Sequence, residues 1–146
     1  MNRQNKKKIN KNYYYALWSD AINYQRRNGK NLLSDWKFNL FFSMSMVQSF
    51  NIATLFMILR MCGLDIGSFI HNYVDISLSK RLNSFLWAVI SLYIPSALIT
   101  YFSIFYKKKY IKILNEYSFE NGKTLKVYMF LSFLLFFIVA FINQKY

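Results

Sequence analysis

The sequence predicts an all-α integral membrane protein, with three transmembrane helices and short in-plane amphipathic helices between them. Three observations lead there. Residues 84–106 carry no charged side chain, and as a helix they would span about 34 Å, close to the roughly 30 Å hydrocarbon core of a bilayer. Of the 146 residues, 55% are hydrophobic and 21% aromatic, more apolar than the water-facing surface of a domain this small allows. The lysines and arginines collect between the apolar runs rather than within them. Lipid cannot hydrogen-bond an open backbone, so each such run is read as a helix.

Residues 1–37 form a basic tail and an interfacial amphipathic helix. The first twelve are polar and basic, with little to bury. Tyr14, Leu17, Trp18 and Ala21 then recur at helical spacing, with Ser19, Asp20 and Asn23 away from that face. Arg26, Arg27 and Lys30 follow, and Asn28-Gly29 is a stop signal. Two placements are open for this helix: flat among the headgroups, or packed on the protein's own spans. Nothing before residue 38 resembles the short apolar core of a cleavable signal peptide, so the first span is expected to act as its own insertion signal.

The membrane domain covers residues 38–142. Ser34 or Asp35 could cap its first helix, with Trp36 and Lys37 at the interface. The first span, residues 38–59, contains Ser45, Gln48, Asn51 and Thr54 at every third position. Polar groups avoid lipid, so this stripe should face protein, either as helix–helix hydrogen bonds or as the lining of a polar path. The first reading is favoured, since no ionisable residue joins the stripe.

In the loop of residues 61–83, Ile66, Phe69, Ile70 and Tyr73 predict a second in-plane helix on the opposite side. His71 and Asp75 stand i, i+4 apart, half of a metal site at best. With no second histidine, the histidine reads as solvated or hydrogen-bonded. Cys62 is alone, so no intrachain disulfide is possible; it reads as small apolar filler.

The second span, residues 84–106, has Trp87 and Tyr106 as anchoring rings and a kink expected at Pro95. Ser96, Thr100 and Ser103 share one face, the expected contact for the Ser45–Thr54 stripe. Lys107, Lys108 and Lys109 end the span at the interface and begin a basic loop. There Ile111, Leu114 and Tyr117 suggest a short amphipathic helix, and Asn121-Gly122 a turn. The third span, residues 125–142, is nearly pure Phe, Leu, Ile and Val; Lys126 can snorkel from its edge. Lacking a polar stripe, it is expected to face lipid or an apolar partner. Residues 143–146 form an external tail.

Charge sets the expected threading. Nine Lys and Arg precede residue 38, three lie in residues 60–83, six in residues 107–126, and one in the tail. The positive-inside rule then places the N-terminus and the second loop in the cytoplasm, and residues 61–83 and the C-terminus outside, in a bacterial inner membrane. This arrangement absorbs most of the +13 net charge without nucleic acid, for which no binding module is present.

Phosphate-loop, dinucleotide, nucleophile-elbow and zincin motifs are missing, and none of the six acids lies inside a span. No enzyme, catalytic residue, cofactor or metal is therefore expected. The run YYYALWSDAI at residues 13–22, with Trp36-Lys37-Phe38 ahead of the first span, resembles small, uncharacterised inner-membrane proteins of Bacteroidota. That resemblance implies a bacterial inner membrane and no activity. The expected function is a non-catalytic accessory or assembly subunit of an inner-membrane complex, partnered by the bilayer and by other membrane subunits or copies of itself. A small holin-like or toxin-like pore and a membrane immunity or exclusion protein are the alternatives.

Overall fold

A computed structural model describes residues 12–28, 36–73, 79–117 and 120–144. Among them every regular element is helical. The α-helices are α1 (Tyr13–Asn28), α2 (Trp36–Met61), α3 (Ile66–Tyr73), α4 (Lys80–Ala88), α5 (Ile94–Thr100), α6 (Lys109–Glu116) and α7 (Lys123–Asn143). Three stretches are long and apolar enough to cross a membrane: Trp36–Met61, Lys80–Glu116 and Lys123–Asn143. The expected spans fall inside them.

The middle stretch is not one regular helix. A π-helical turn, Val89–Tyr93, joins α4 to α5. It sits immediately before Pro95, whose ring would clash with the carbonyl four residues back in an α-helix. The wider register accommodates the proline: the Ile94 amide bonds Val89 O, five residues back. A second π turn, Tyr101–Phe105, follows α5. The helix then breaks where Lys107 and Lys108 adopt left-handed φ of 53° and 55°. Lys109 turns back to donate from Nζ to Phe102 O at 3.0 Å, serving a carbonyl near the end of the span.

α2 is the central element, packed against α5 and α7. The third span, expected to face lipid or an apolar partner, also packs one face on α2. The Phe50 ring lies 4.9 Å from Phe133 and 5.1 Å from Phe136, centroid to centroid, and Tyr128 and Ser132 turn inward with them. Aromatic interdigitation supplies the contact that a missing polar stripe seemed to deny.

Burial divides by chemistry along the bundle. Away from the end cluster, the buried residues of the spans are mostly small and polar: Ser45, Thr54, Ser91, Ser96, Thr100 and Ser132, with Val47 and Val139. Apolar burial gains nothing against lipid, so close backbone approach selects small side chains there. At the end carrying α1 and α6, the buried residues are large and apolar, with Trp18, Ile22, Met44, Ile104 and Ile113 in one cluster. That is the signature of the hydrophobic effect, which requires water nearby.

Candidate functional site

α1 docks into this end cluster against α2, α6 and α7. Its apolar face is the expected one, but its polar face is not free. Ser19 and Asp20, expected to point away, are fully buried. Asp20 Oδ1 accepts the amides of Glu120 at 3.0 Å and Gly122 at 2.8 Å, and Oδ2 accepts the Leu125 amide at 3.3 Å. Ser19 Oγ donates to Tyr117 O at 3.3 Å. The need for this comes from α7, whose N-cap is Gly122 at φ 78°, with no side chain to cap its first amides. A carboxylate 102 residues upstream supplies the cap and places negative charge at the positive end of the helix dipole.

α6 completes the seat, through a face that keeps Leu114 and Tyr117 of the expected set but not Ile111. Tyr110, Ile113, Leu114 and Tyr117 face the cluster, and Ile111 is exposed.

The expected helix-contact residues divide between two neighbours. Gln48 Oε1 accepts from Thr100 Oγ1 at 3.0 Å, joining α2 to α5. Asn51 Nδ2 donates to Tyr128 Oη at 2.8 Å, joining α2 to α7. The stripe at every third residue drifts around a 3.6-residue helix, so successive members meet different partners. Ser45 is fully buried, and its Oγ has no hydrogen-bond partner among the described residues. Thr54 and Ser96 donate to backbone carbonyls four residues back, Phe50 O and Leu92 O. Ser103 is half-buried in the second π turn. Of the Ser96, Thr100 and Ser103 face, Thr100 is the residue that hydrogen-bonds the stripe, through Gln48.

The expected interface residues also part ways. Trp18 is fully buried in the end cluster, because α1 packs on the protein. Trp36 is half-buried, flanked by Arg26 at 5.7 Å and Lys37 at 5.9 Å, and meets Tyr110 edge-on at 5.7 Å. Trp87 Nε1 donates to Gly67 O at 3.2 Å, tying α4 to α3. Lys107, Lys108 and Lys109 are exposed, with Lys107 Nζ 5.3 Å from the centre of the Tyr106 ring.

At the opposite end the structure holds a feature with no counterpart in the sequence reading. A cavity of about 880 Å³ opens between α2, α4 with its π turn, and the far end of α7. Phe42, Met46, Phe50, Phe56, Leu92 and Phe136 are among its walls, and Arg60, Asp65, Ser68 and Asn143 stand at one end. There Asp65 caps α3, accepting the Ser68 hydroxyl at 2.6 Å and the Ser68 amide at 3.0 Å, with Arg60 Nε at 3.9 Å. The two Ser68 bonds, helped by Arg60, hold this carboxyl below its usual range against a small opposing effect of burial. No group of three or more His, Cys, Asp or Glu side chains gathers among the described residues. Asp75, and with it the expected His71–Asp75 pairing, lies outside them.

Fold and site together define a class, the all-α polytopic membrane protein with three candidate spans and a docked amphipathic helix. No family model matches the chain, nor does any curated protein or solved structure.

Sequence reasoning missed Asp20, Tyr128 and the cavity. A signal for the first existed: Gly122 opens a long helix without a side-chain cap, so an acceptor must come from elsewhere. The cavity had none, because its walls look like any lipid-facing phenylalanine or methionine.

Proposed function

We propose that this protein is a non-catalytic accessory or assembly subunit of a bacterial inner-membrane complex, threaded with its N-terminus in the cytoplasm and its C-terminus outside. The observation that carries this reading is the fate of the polar stripe. Gln48 and Asn51, the groups best able to line an aqueous path, are paired within the bundle, to Thr100 and Tyr128. A pore would need them facing its lumen, so the arrangement favours a subunit over a holin-like channel. What α7 offers its surroundings is an apolar ridge, Phe130, Leu134 and Phe137, one helical face and all exposed. Such a ridge suits packing against another span.

The test is affinity purification of the full chain in mild detergent, with mass spectrometry of what accompanies it. A membrane subunit recovered in fixed ratio, and lost on Phe130→Ala with Phe137→Ala, is expected. A lone monomer, or a homo-oligomer that releases dye from vesicles, would overturn the proposal. Reporter fusions at Met1 and Tyr146 should fall on opposite sides.

A further inference from the structure

We infer that the cavity is a binding site for one glycerophospholipid of the surrounding bilayer, with an acyl chain along the groove and the phosphate at Arg60. The groove follows one face of α2: Phe42, Met46, Ser49, Ala53, Phe56 and Arg60 line it, at i, i+4, i+7, i+11, i+14 and i+18. It therefore runs about 27 Å, nearly the depth of the hydrocarbon core. A hydrocarbon chain is thin enough to lie along a groove of this volume, about 880 Å³. Walls so apolar give water few partners, and water needs two to four.

The polar end supplies the rest of the chemistry. Arg60 is the only cation among the described residues that line it, and its side chain is more than half exposed. A guanidinium has five donors in a planar fork suited to phosphate oxygens. Its contact with Asp65 is long, at 3.9 Å, and the Asp65 carboxylate is already engaged by both donors of Ser68, leaving Arg60 with unspent donors. Asn143 adds an amide from the end of α7. Because Arg60 closes an apolar span, this end lies at headgroup depth whichever way the chain is threaded. The π turn builds the opposite wall: Val89, Leu92 and Tyr93 all line the groove.

The test is native mass spectrometry of the full chain extracted in mild detergent from bacterial membranes. A retained phospholipid, one per chain, is expected. Ala53→Phe, which fills the groove midway, should lower the retained fraction at least about tenfold. Arg60→Gln should lower it about three- to tenfold, the screened loss of one charge-assisted contact. Leu92→Phe fills the groove from the other wall and serves if Ala53→Phe does not fold, and Lys112→Ala, remote from the groove, should retain lipid as the parent does. A parent chain carrying no lipid, a folded groove-filling variant retaining as much as the parent, or a bound molecule without phosphate would each overturn the assignment. Loss of a co-purifying subunit with lipid retained would count against the proposed function alone.

Discussion

Replacing Asp20 by alanine removes the acceptor that closes α7 at its start. The two short bonds, to Glu120 and Gly122 at 3.0 and 2.8 Å, are hydrogen bonds to a charged group, worth roughly 1.5–3 kcal/mol each. The third, at 3.3 Å to Leu125, is long and adds little. Substitution should therefore destabilise the folded chain by about 3–5 kcal/mol, several times the ~1 kcal/mol of an ordinary surface N-cap. Burial accounts for the difference, since Asp20, Gly122 and Leu125 are all buried and water cannot replace the acceptor lost there; the exposed Glu120 amide can turn to water, which keeps the cost toward the lower end. Asp20→Asn keeps one acceptor and gives up the charge, and should cost about half as much. Unfolding of the detergent-solubilised chain by a denaturing surfactant, followed by tryptophan fluorescence, gives the readout, since Trp18 is fully buried two residues away. Lys112→Ala is the comparison: its pair with Glu116 is exposed and 3.8 Å long, so it should change stability by less than about 0.5 kcal/mol. An Asp20→Ala midpoint equal to that of Lys112→Ala would refute the capping argument.

Other substitutions test other joints. At Gly122 an added Cβ would lie 2.5 Å from the Tyr24 ring at a φ of 78°, so Gly122→Ala should cost about 2 kcal/mol or more. In the same unfolding assay, Tyr24→Ala should recover the steric part and leave the backbone strain. A double-mutant cycle on Gln48→Leu and Thr100→Val should give a coupling of about 0.6 kcal/mol, and no more than roughly 1.7, while Gln48 with Ser96 should give none. Asp65, its carboxyl held below the usual range by Ser68 and Arg60, stabilises the start of α3 fully above about pH 4. That contribution is lost as pH falls through the lowered folded value. Protection of the Ser68 amide against exchange, taken relative to its intrinsic rate at each pH, should fall on acidification through that window, and Asp65→Asn should abolish that fall.

The spans were legible in the sequence because an uncharged run of about 20 residues has few other ways to satisfy its backbone. Partner choice was legible only in part. The spacing of Ser45, Gln48, Asn51 and Thr54 announced helix contacts, but a stripe that drifts cannot say which neighbour each member meets. Pro95 announced a disturbance without revealing that a π turn would absorb it. Asp20 was read by its type, as a solvent-facing acid on an amphipathic helix, whereas its environment is set by a turn a hundred residues away. The Ile111 reading failed for a similar reason. The helical face that wins is chosen by the cluster it meets, and Tyr110 and Ile113 reach that cluster where Ile111 does not.

The reach from Asp20 to Gly122 also imposes a timetable on synthesis. α1 leaves the ribosome first, yet its seat does not exist until α6 and the start of α7 have emerged. During that interval its aromatic stripe lacks the seat that buries it in the finished chain. A chain truncated before residue 120 should leave Trp18 open to a water-soluble quencher, and completion of the third span should shield it.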